Sequence, residues 1–341
     1  MYGRSKDGNS LGMLVRGCFL SLLMLMTMPM RAQGVPSTVT VAWWNVENLF
    51  DLRDDPHTND DEFTPQGDRH WTRSKLNAKL NGIYKTLSLM DLPDLVGLAE
   101  VENKYVLREL TGGTPLAQAH YRYVHYDSPD RRGIDVALLY RQDRFKVTSS
   151  RAVSVSDSTQ GFFTRDILVV EGVTAAGDSL CLLLNHWPSK RGGEEAEEHR
   201  LRIADTLRRL MVELQEVHPD AAVVAMGDMN ATSDEPPVSE GMGFHGDSVS
   251  RDGIRLLTLR LPKGWGSHKY QGMWSYIDQV FFLAGSEWAI IDLKLMSFHH
   301  LLTPEKGRPG YRPRRSYQGP RYEGGLSDHL PLLLRLKKRQ R

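Results

Sequence analysis

Cysteine is nearly absent. The 341 residues hold two, Cys18 and Cys181. The first lies in an N-terminal segment that the mature chain is expected to lose, so no internal disulfide can form and the fold must rest on burial. A surplus of either charge is missing too: 43 Lys and Arg against 42 Asp and Glu leave a net charge of +1. Bulk electrostatics therefore gives no argument for nucleic-acid binding, although a local basic patch can exist beneath a neutral sum. Long apolar runs are also lacking. The stretch Cys18 to Met30 is shorter than the roughly 20 residues a spanning helix needs, so no stable membrane insertion is expected. There is no fixed-period repeat and no long linker to divide the chain.

The N-terminal stretch "MLVRGCFLSLLMLMTMPMRAQG" has a basic start, a short apolar middle and the small residue Ala32 before Gln33. That is the layout of a secretory signal. It predicts cleavage near Ala32, a signal peptide over residues 1–32 and a secreted or periplasmic protein, with Met13 as a second candidate start. Lipid attachment at Cys18 is disfavoured because the apolar run follows the cysteine instead of preceding it. Cys181, within "SLCLLLN", reads as a small apolar strand residue.

Strand-like runs dominate the remainder: "TVTVAWWN" at 38–45, "DLVGLAEV" at 94–101, "YRYVHY" at 121–126 and "GIDVALLYR" at 133–141, then "DILVVEGV", "SLCLLLN", "AAVVAM", "YIDQVFFL" and "PLLLRL". Several are continuously apolar, as strands covered on both faces are. Leu76, Leu80, Ile83, Leu87 and Met90 recur at helical steps and mark a helix packed on a sheet. A second helix is predicted over about 194–216, its acidic start and later Arg208 and Arg209 matching the helix dipole. Helices falling between strands predict two packed mixed sheets flanked by helices, a four-layer α/β sandwich over residues 38–336 followed by a solvated basic tail at 337–341. Trp43 and Trp44 are read as core. The acidic loop 51–68 lacks the spacing of a calcium loop.

Polar residues recur where these strands end. "GDMNAT" stops an apolar run with Asp228 and Asn230; "AWWNVEN" closes with Asn45 and Glu47, "VGLAEVEN" with Glu100, and "LLLNHWPSK" with Asn185 and His186. "SDHLPLLL" opens with Asp328 and His329, while Asp135 and Asp278 sit inside apolar runs, where an acid is expensive unless paired. Phosphodiester hydrolysis requires a hard cation on carboxylate oxygens, a group to steer water, and donors for the charge developing on phosphorus. This inventory supplies all three. The loop "RPGYRPRRSYQGPRY" interleaves arginines, Arg314 and Arg315 among them, with tyrosines, either as a single-strand-binding surface bordering the site or as a solvated loop.

The set "WNVEN", "LAEVEN", "GIDVALLYR", "NHWPS", "GDMNA", "YIDQVF" and "SDHLP", in that order, resembles the endonuclease/exonuclease/phosphatase superfamily over roughly Val39 to Leu334. The resemblance implies a four-layer sandwich with the strand ends converging at one edge. It implies Glu100 as principal ligand of Mg²⁺, with Asn45 and Glu47 beside it and Asp328 as the other metal-side carboxylate; oxygen ligation also admits Mn²⁺. By the same resemblance Asp228 activates the attacking water and Asn230 positions the phosphate. His329 binds a phosphate oxygen with its tautomer fixed by Asp278, Asp135 and His186 form a second pair of that kind, and Asn185 helps shape the pocket. The implied protein is a secreted, monomeric, metal-dependent phosphodiesterase acting on nucleic acid as an endonuclease-like enzyme, with no protein partner inferred. The alternatives are a phosphatase or phospholipase C-like enzyme on lipid or sugar-phosphate esters, and a non-catalytic binding protein on the same scaffold.

Overall fold

The computed structural model of the chain describes residues 38–259, 264–285 and 287–339. The expected signal peptide at 1–32 lies outside these residues, as does the end of the basic tail. Twelve strands form two six-stranded sheets. In chain order they are β1 Thr38–Leu49, β2 Leu95–Val101, β3 Tyr121–His125, β4 Asp135–Arg141, β5 Phe145–Val153, β6 Ile167–Thr174, β7 Ser179–His186, β8 Ala222–Asp228, β9 Arg255–Leu256, β10 Asp278–Ala284, β11 Trp288–Leu295 and β12 Leu332–Lys338. One sheet has the order β11-β12-β1-β2-β4-β3, the other β5-β6-β7-β8-β10-β9. Only β1 with β2 and β7 with β8 run parallel, so both sheets are mixed. Each parallel pair is bridged by a helix that returns the chain across the sheet: α1 (Arg73–Leu89) between β1 and β2, and α3 (Gly193–Val217) between β7 and β8.

Alternation along the strands divides the core into three apolar layers. Val39, Val41 and Trp43 of β1 meet Leu182 and Leu184 of β7 and Val224 and Met226 of β8 between the sheets. The opposite face of β1, Ala42 and Trp44, packs with Leu76, Leu80, Ile83 and Leu87 of α1 and with Val106 and Leu110 of α2 (Lys104–Gly112). Leu183 of β7 and Val223 and Ala225 of β8 pack on Ile203, Leu207 and Met211 of α3. The result is helix, sheet, sheet, helix. Gly97 shows how closely the sheets approach: a Cβ there would lie 2.7 Å from Leu184 Cδ2 and 2.8 Å from Trp43 Cε3.

The final strand extends through Lys337 and Lys338, both expected in a solvated tail. Lys338 is held 3.5 Å from Asp178 and 3.5 Å from Glu287. The arginine- and tyrosine-rich loop is also more ordered than its composition indicates. It folds into two short hairpins, Leu302–Pro304 with Tyr311–Pro313 and Tyr317–Gln318 with Arg321–Tyr322.

Candidate active site

The inward-facing series of each central strand ends in a polar residue at one rim of the sandwich. After Val39, Val41 and Trp43 comes Asn45; after Leu182 and Leu184 comes His186; after Val224 and Met226 comes Asp228; and Phe282 and Val280 of β10 lead back to Asp278. Strand register then aligns them, with His186 opposite Asp228 in β7/β8 and Asp228 opposite Asp278 in β8/β10. Side chains opposite one another in a ladder share a face. An imidazole and two carboxylates therefore stand in a row, with the other sheet above them.

Glu100 reaches this rim by a different route. Alternation would turn it, with Val96 and Leu98, toward the helices. Instead the β2/β4 register slips between Ala99 and Val101, and Glu100 takes a left-handed φ of 61°. A bulge of this kind re-aims a side chain. The carboxylate now lies with Oε2 accepting from Asn48 N at 2.8 Å and Oε1 4.0 Å from His186 Nε2. Glu47, Asn48 and Asn230, also at strand ends here, have φ of 50°, 56° and 47°.

Asp228 is the hub. Its Oδ2 lies 3.6 Å from His186 Nε2, 3.5 Å from His329 Nε2 and accepts from Asn45 Nδ2 at 3.1 Å, while Oδ1 accepts from Asn230 N at 3.0 Å. Burial pushes its carboxyl up to about 7 against the pull of His329. His329 Nδ1 faces Asp278 Oδ2 at 2.8 Å, and Trp43 Nε1 donates to the other Asp278 oxygen at 2.8 Å. Burial opposes charge on His329, but Asp278 and Asp228 outweigh it and hold the imidazole well above its ordinary value. His186 goes the other way: burial, with Arg165 and Arg132 nearby, holds it well below. The Asp228 carboxyl thus stands between one imidazole pushed up and one pushed down from the ordinary value.

Glu47 and Asp328 also lie at this rim, joined by Arg315, which donates to Glu47 Oε1 at 3.1 Å and Asp328 Oδ2 at 2.6 Å. Burial and the neighbouring Asp328 push Glu47 up to about 7. Arg315 is committed to these two acids. The oxygens of Glu100, Asn45, Asp328 and Glu47 make a hard donor set that could hold a divalent cation. Glu100 fits that role best, since among the described residues its Oε1 accepts no hydrogen bond while Oε2 is fixed in place.

Three expectations are corrected. Asp135 does not pair with His186. It lies at the start of β4, one strand beyond Glu100, where its Oδ2 is 3.0 Å from His125 Nε2 and Ser128 donates to Oδ1. Asn185 belongs to the helix-facing series of β7, fully buried and bonded to Leu183 O and Trp187 Nε1, because neighbours of His186 in a strand point away from it. Arg314 is turned outward and donates to Glu323 O.

Residues not singled out from sequence complete the site. His268 packs on His329 with ring centroids 4.7 Å apart and is held down to about 4 by burial and by His329. Arg165 donates to the carbonyls of His186 and Trp187, and Arg132 lies 3.5 Å from Glu100 Oε2. Lys79 is buried under the rim, donating to Glu47 O, to Ser316 Oγ at 2.8 Å and to Leu326 O at 2.9 Å. Lys79 had a legible signal, a cation on the apolar face of α1 between Leu76 and Leu80. His268 had none, since "GSHKY" carries no strand-end pattern.

Structures with this architecture are known. The fold is similar to that of Danio rerio TDP2 complexed with a single-strand DNA product, at 17% identity and a TM-score of 0.57, covering 89% of this chain and 100% of that one. It is also similar to a Bacteroides thetaiotaomicron mannosyl-6-phosphatase at 16% identity and a TM-score of 0.56, covering 87% and 99%. The human Nocturnin catalytic domain with bound sulfate matches at 14% identity and a TM-score of 0.53, covering 89% and 95%. No curated protein sequence matches the chain. Residues 40–338 match the model of the Endonuclease/Exonuclease/phosphatase family, nearly the whole of the described sandwich. The chain belongs to that family.

Proposed function

We propose that the chain is a Mg²⁺-dependent phosphodiesterase that cleaves nucleic acid as a monomer. The observation that carries this reading is the placement of Asp228 between His186 and His329, with Glu100 4.0 Å from the same His186. A divalent cation held by Glu100 and Asn45 would withdraw charge from the phosphate. Asp228, basic enough at neutral pH to accept a proton, takes one from the attacking water. His329 donates a hydrogen bond to a non-bridging phosphate oxygen, and Asp278 keeps its other nitrogen protonated. Asn230, its amide anchored to Trp187 O at 2.9 Å, would position the phosphate, and His186, 3.6 Å from Asp228, would hydrogen-bond the leaving oxygen, which takes its proton from water. Residues 1–32 are read as an export signal absent from the mature enzyme, a point that N-terminal sequencing of exported protein decides.

One observation favours a second reading, hydrolysis of a sugar-phosphate ester. Two of the arginines that composition offered to a nucleic-acid strand are paired with the protein's own acids, Arg312 with Glu323 at 2.6 Å and Arg315 with Glu47 and Asp328, while the exposed Arg308 and Arg314 donate to the carbonyls of Gln271 and Glu323. The mannosyl-6-phosphatase neighbour belongs beside that reading, as the DNA-bound TDP2 belongs beside the first. Purified mature chain would be incubated with plasmid DNA, RNA, bis-p-nitrophenyl phosphate and hexose 6-phosphates, with Mg²⁺ or with EDTA. Diester cleavage that EDTA abolishes is the expected result. Turnover of monoesters alone would replace the first reading with the second.

A further inference from the structure

One strand away from the catalytic rim, His125 closes β3 with its ring fully buried, and neither ring nitrogen makes a hydrogen bond. Both nitrogens nevertheless face acids. Nε2 is 3.0 Å from Asp135 Oδ2 and Nδ1 is 3.8 Å from Asp127 Oδ1. Asp135 is aimed: Ser128 holds its Oδ1 through the backbone N–H at 2.8 Å and the hydroxyl at 2.5 Å, leaving Oδ2 to the ring. Ligand atoms of His125, Asp127 and Asp135 all lie within 4.8 Å of one another, close to the spacing of donors around one metal ion.

A second feature adjoins the first. A small cavity lined by Tyr126, Ser128, Val136, Ala152, Asp166 and Leu168 lies nearby, toward the other sheet, and none of His125, Asp127 and Asp135 lines it. There, just before β6, Asp166 Oδ1 is buried with no hydrogen-bond partner. Buried polar groups without partners are rare, and each calls for a ligand, an ion or a water. Asp166 lines the cavity and His125 does not, so the unpartnered ring of His125 is by itself the group in this cluster that calls for a ligand. The grouping of Glu171, Cys181 and His218 lacks this feature, because Glu171 is already taken up by Arg151 at 2.9 Å and His218 at 2.8 Å.

We propose that His125, Asp127 and Asp135 bind a divalent first-row transition ion, with Zn²⁺ the best match, separate from the catalytic centre. An imidazole with two carboxylates selects such an ion over Mg²⁺ or Ca²⁺, which prefer all-oxygen ligands. Three protein ligands leave a fourth position for water. The ion reaches the site past Asp127, whose side chain is 78% exposed. Bound there, it would join the end of β3 to the start of β4, one strand away from the rim that carries the catalytic residues.

The test uses full mature chain stripped of metal, reloaded with Zn²⁺ and desalted, with bound zinc counted by mass spectrometry and melting followed by circular dichroism. Glu100→Gln removes the catalytic ligand and should retain this zinc. Asp127→Asn and His125→Asn should each lose about one equivalent relative to wild type. Zinc should raise the melting temperature of wild type and of Glu100→Gln, but not of Asp127→Asn. Asp127 is exposed, so its variant folds even if the His125 variant does not, and it decides the matter. Zinc content and a zinc-dependent melting shift in Asp127→Asn equal to wild type would overturn the proposal.

Discussion

Replacing Asp228 by Asn should abolish activity and yet improve the relative stability of the metal-free protein as pH rises. An aspartate in the unfolded chain ionises near 3.8, whereas burial pushes Asp228 up to about 7. A carboxyl held up in this way costs nothing below pH 3.8, where both states are protonated. The cost grows from pH 3.8 to 7 and is full above it, because the unfolded chain releases its proton first. The displacement corresponds to about 4 kcal/mol. His329 loses part of its own support when the charge goes, so the observable part is smaller, about 2–3 kcal/mol. The amide also loses a hydrogen bond, since one of its two ends must present an NH₂ to a donor, either Asn45 Nδ2 or Asn230 N. That loss, about 1–3 kcal/mol, does not depend on pH. Urea unfolding in EDTA should therefore find the variant weaker than wild type at pH 4 and the gap closed or reversed at pH 8. Activity on bis-p-nitrophenyl phosphate should drop at least about a hundredfold. A stability gap that stays constant between pH 4 and 8 would refute the high-lying carboxyl and the role built on it.

Asp278 accepts from both His329 Nδ1 and Trp43 Nε1. An amide at 278 can accept from only one of them, so Asp278→Asn should let the His329 pKa fall and move the basic limb of the pH–rate profile to lower pH. The rate at neutral pH should fall at least about a hundredfold; an unshifted profile would detach Asp278 from the imidazole. Lys79→Met strands three buried acceptors, Glu47 O, Ser316 Oγ and Leu326 O, and should cost about 2–4 kcal/mol in denaturant unfolding. Gly97→Ala forces a methyl against Leu184 and Trp43 between the sheets and should cost about 1–3 kcal/mol. A melting temperature equal to wild type would show that the sheets can part there.

The fold was legible wherever strands are covered on both faces. The runs around Val41, Leu98, Leu138, Leu182, Val224 and Leu334 are apolar because they lie inside a sheet and against two layers. β5 and β11 escaped notice for the converse reason. Each is an edge strand, partly exposed along much of its length, and "FKVTSSRAV" and "WAIIDLKL" carry the mixed pattern such a position permits. The rim residues Asn45, Glu100, His186, Asp228 and His329 announced themselves as polar ends of apolar strands, and Asp278 as an acid inside an apolar run. Pairing between them did not, because Asp135 and His186 lie in different sheets and only the folded chain shows that the imidazole facing Asp135 is His125. His268 and Arg132 come from segments without periodicity, so only the folded chain delivers them.

The features least suited to folding are gathered where chemistry is proposed. A non-glycine residue in the left-handed region costs about 1–3 kcal/mol, and four occur at the ends of β1, β2 and β8: Glu47, Asn48, Glu100 and Asn230. Asparagine tolerates that conformation through local hydrogen bonds, whereas glutamate gains nothing comparable. Burial adds a second cost at the same rim, where Glu47 and Asp228 are both pushed up to about 7. A chain selected for stability alone would place at position 100 a residue that tolerates the left-handed φ, Gly or Asn, and an amide at position 228. The strain at Glu100 achieves one thing that ordinary alternation cannot: it swings a carboxylate from the helix side of β2 to within 4.0 Å of His186 on the opposing sheet. That places strain and buried charge on the same few residues, which is the pattern expected when binding, and not folding, determines what those positions hold.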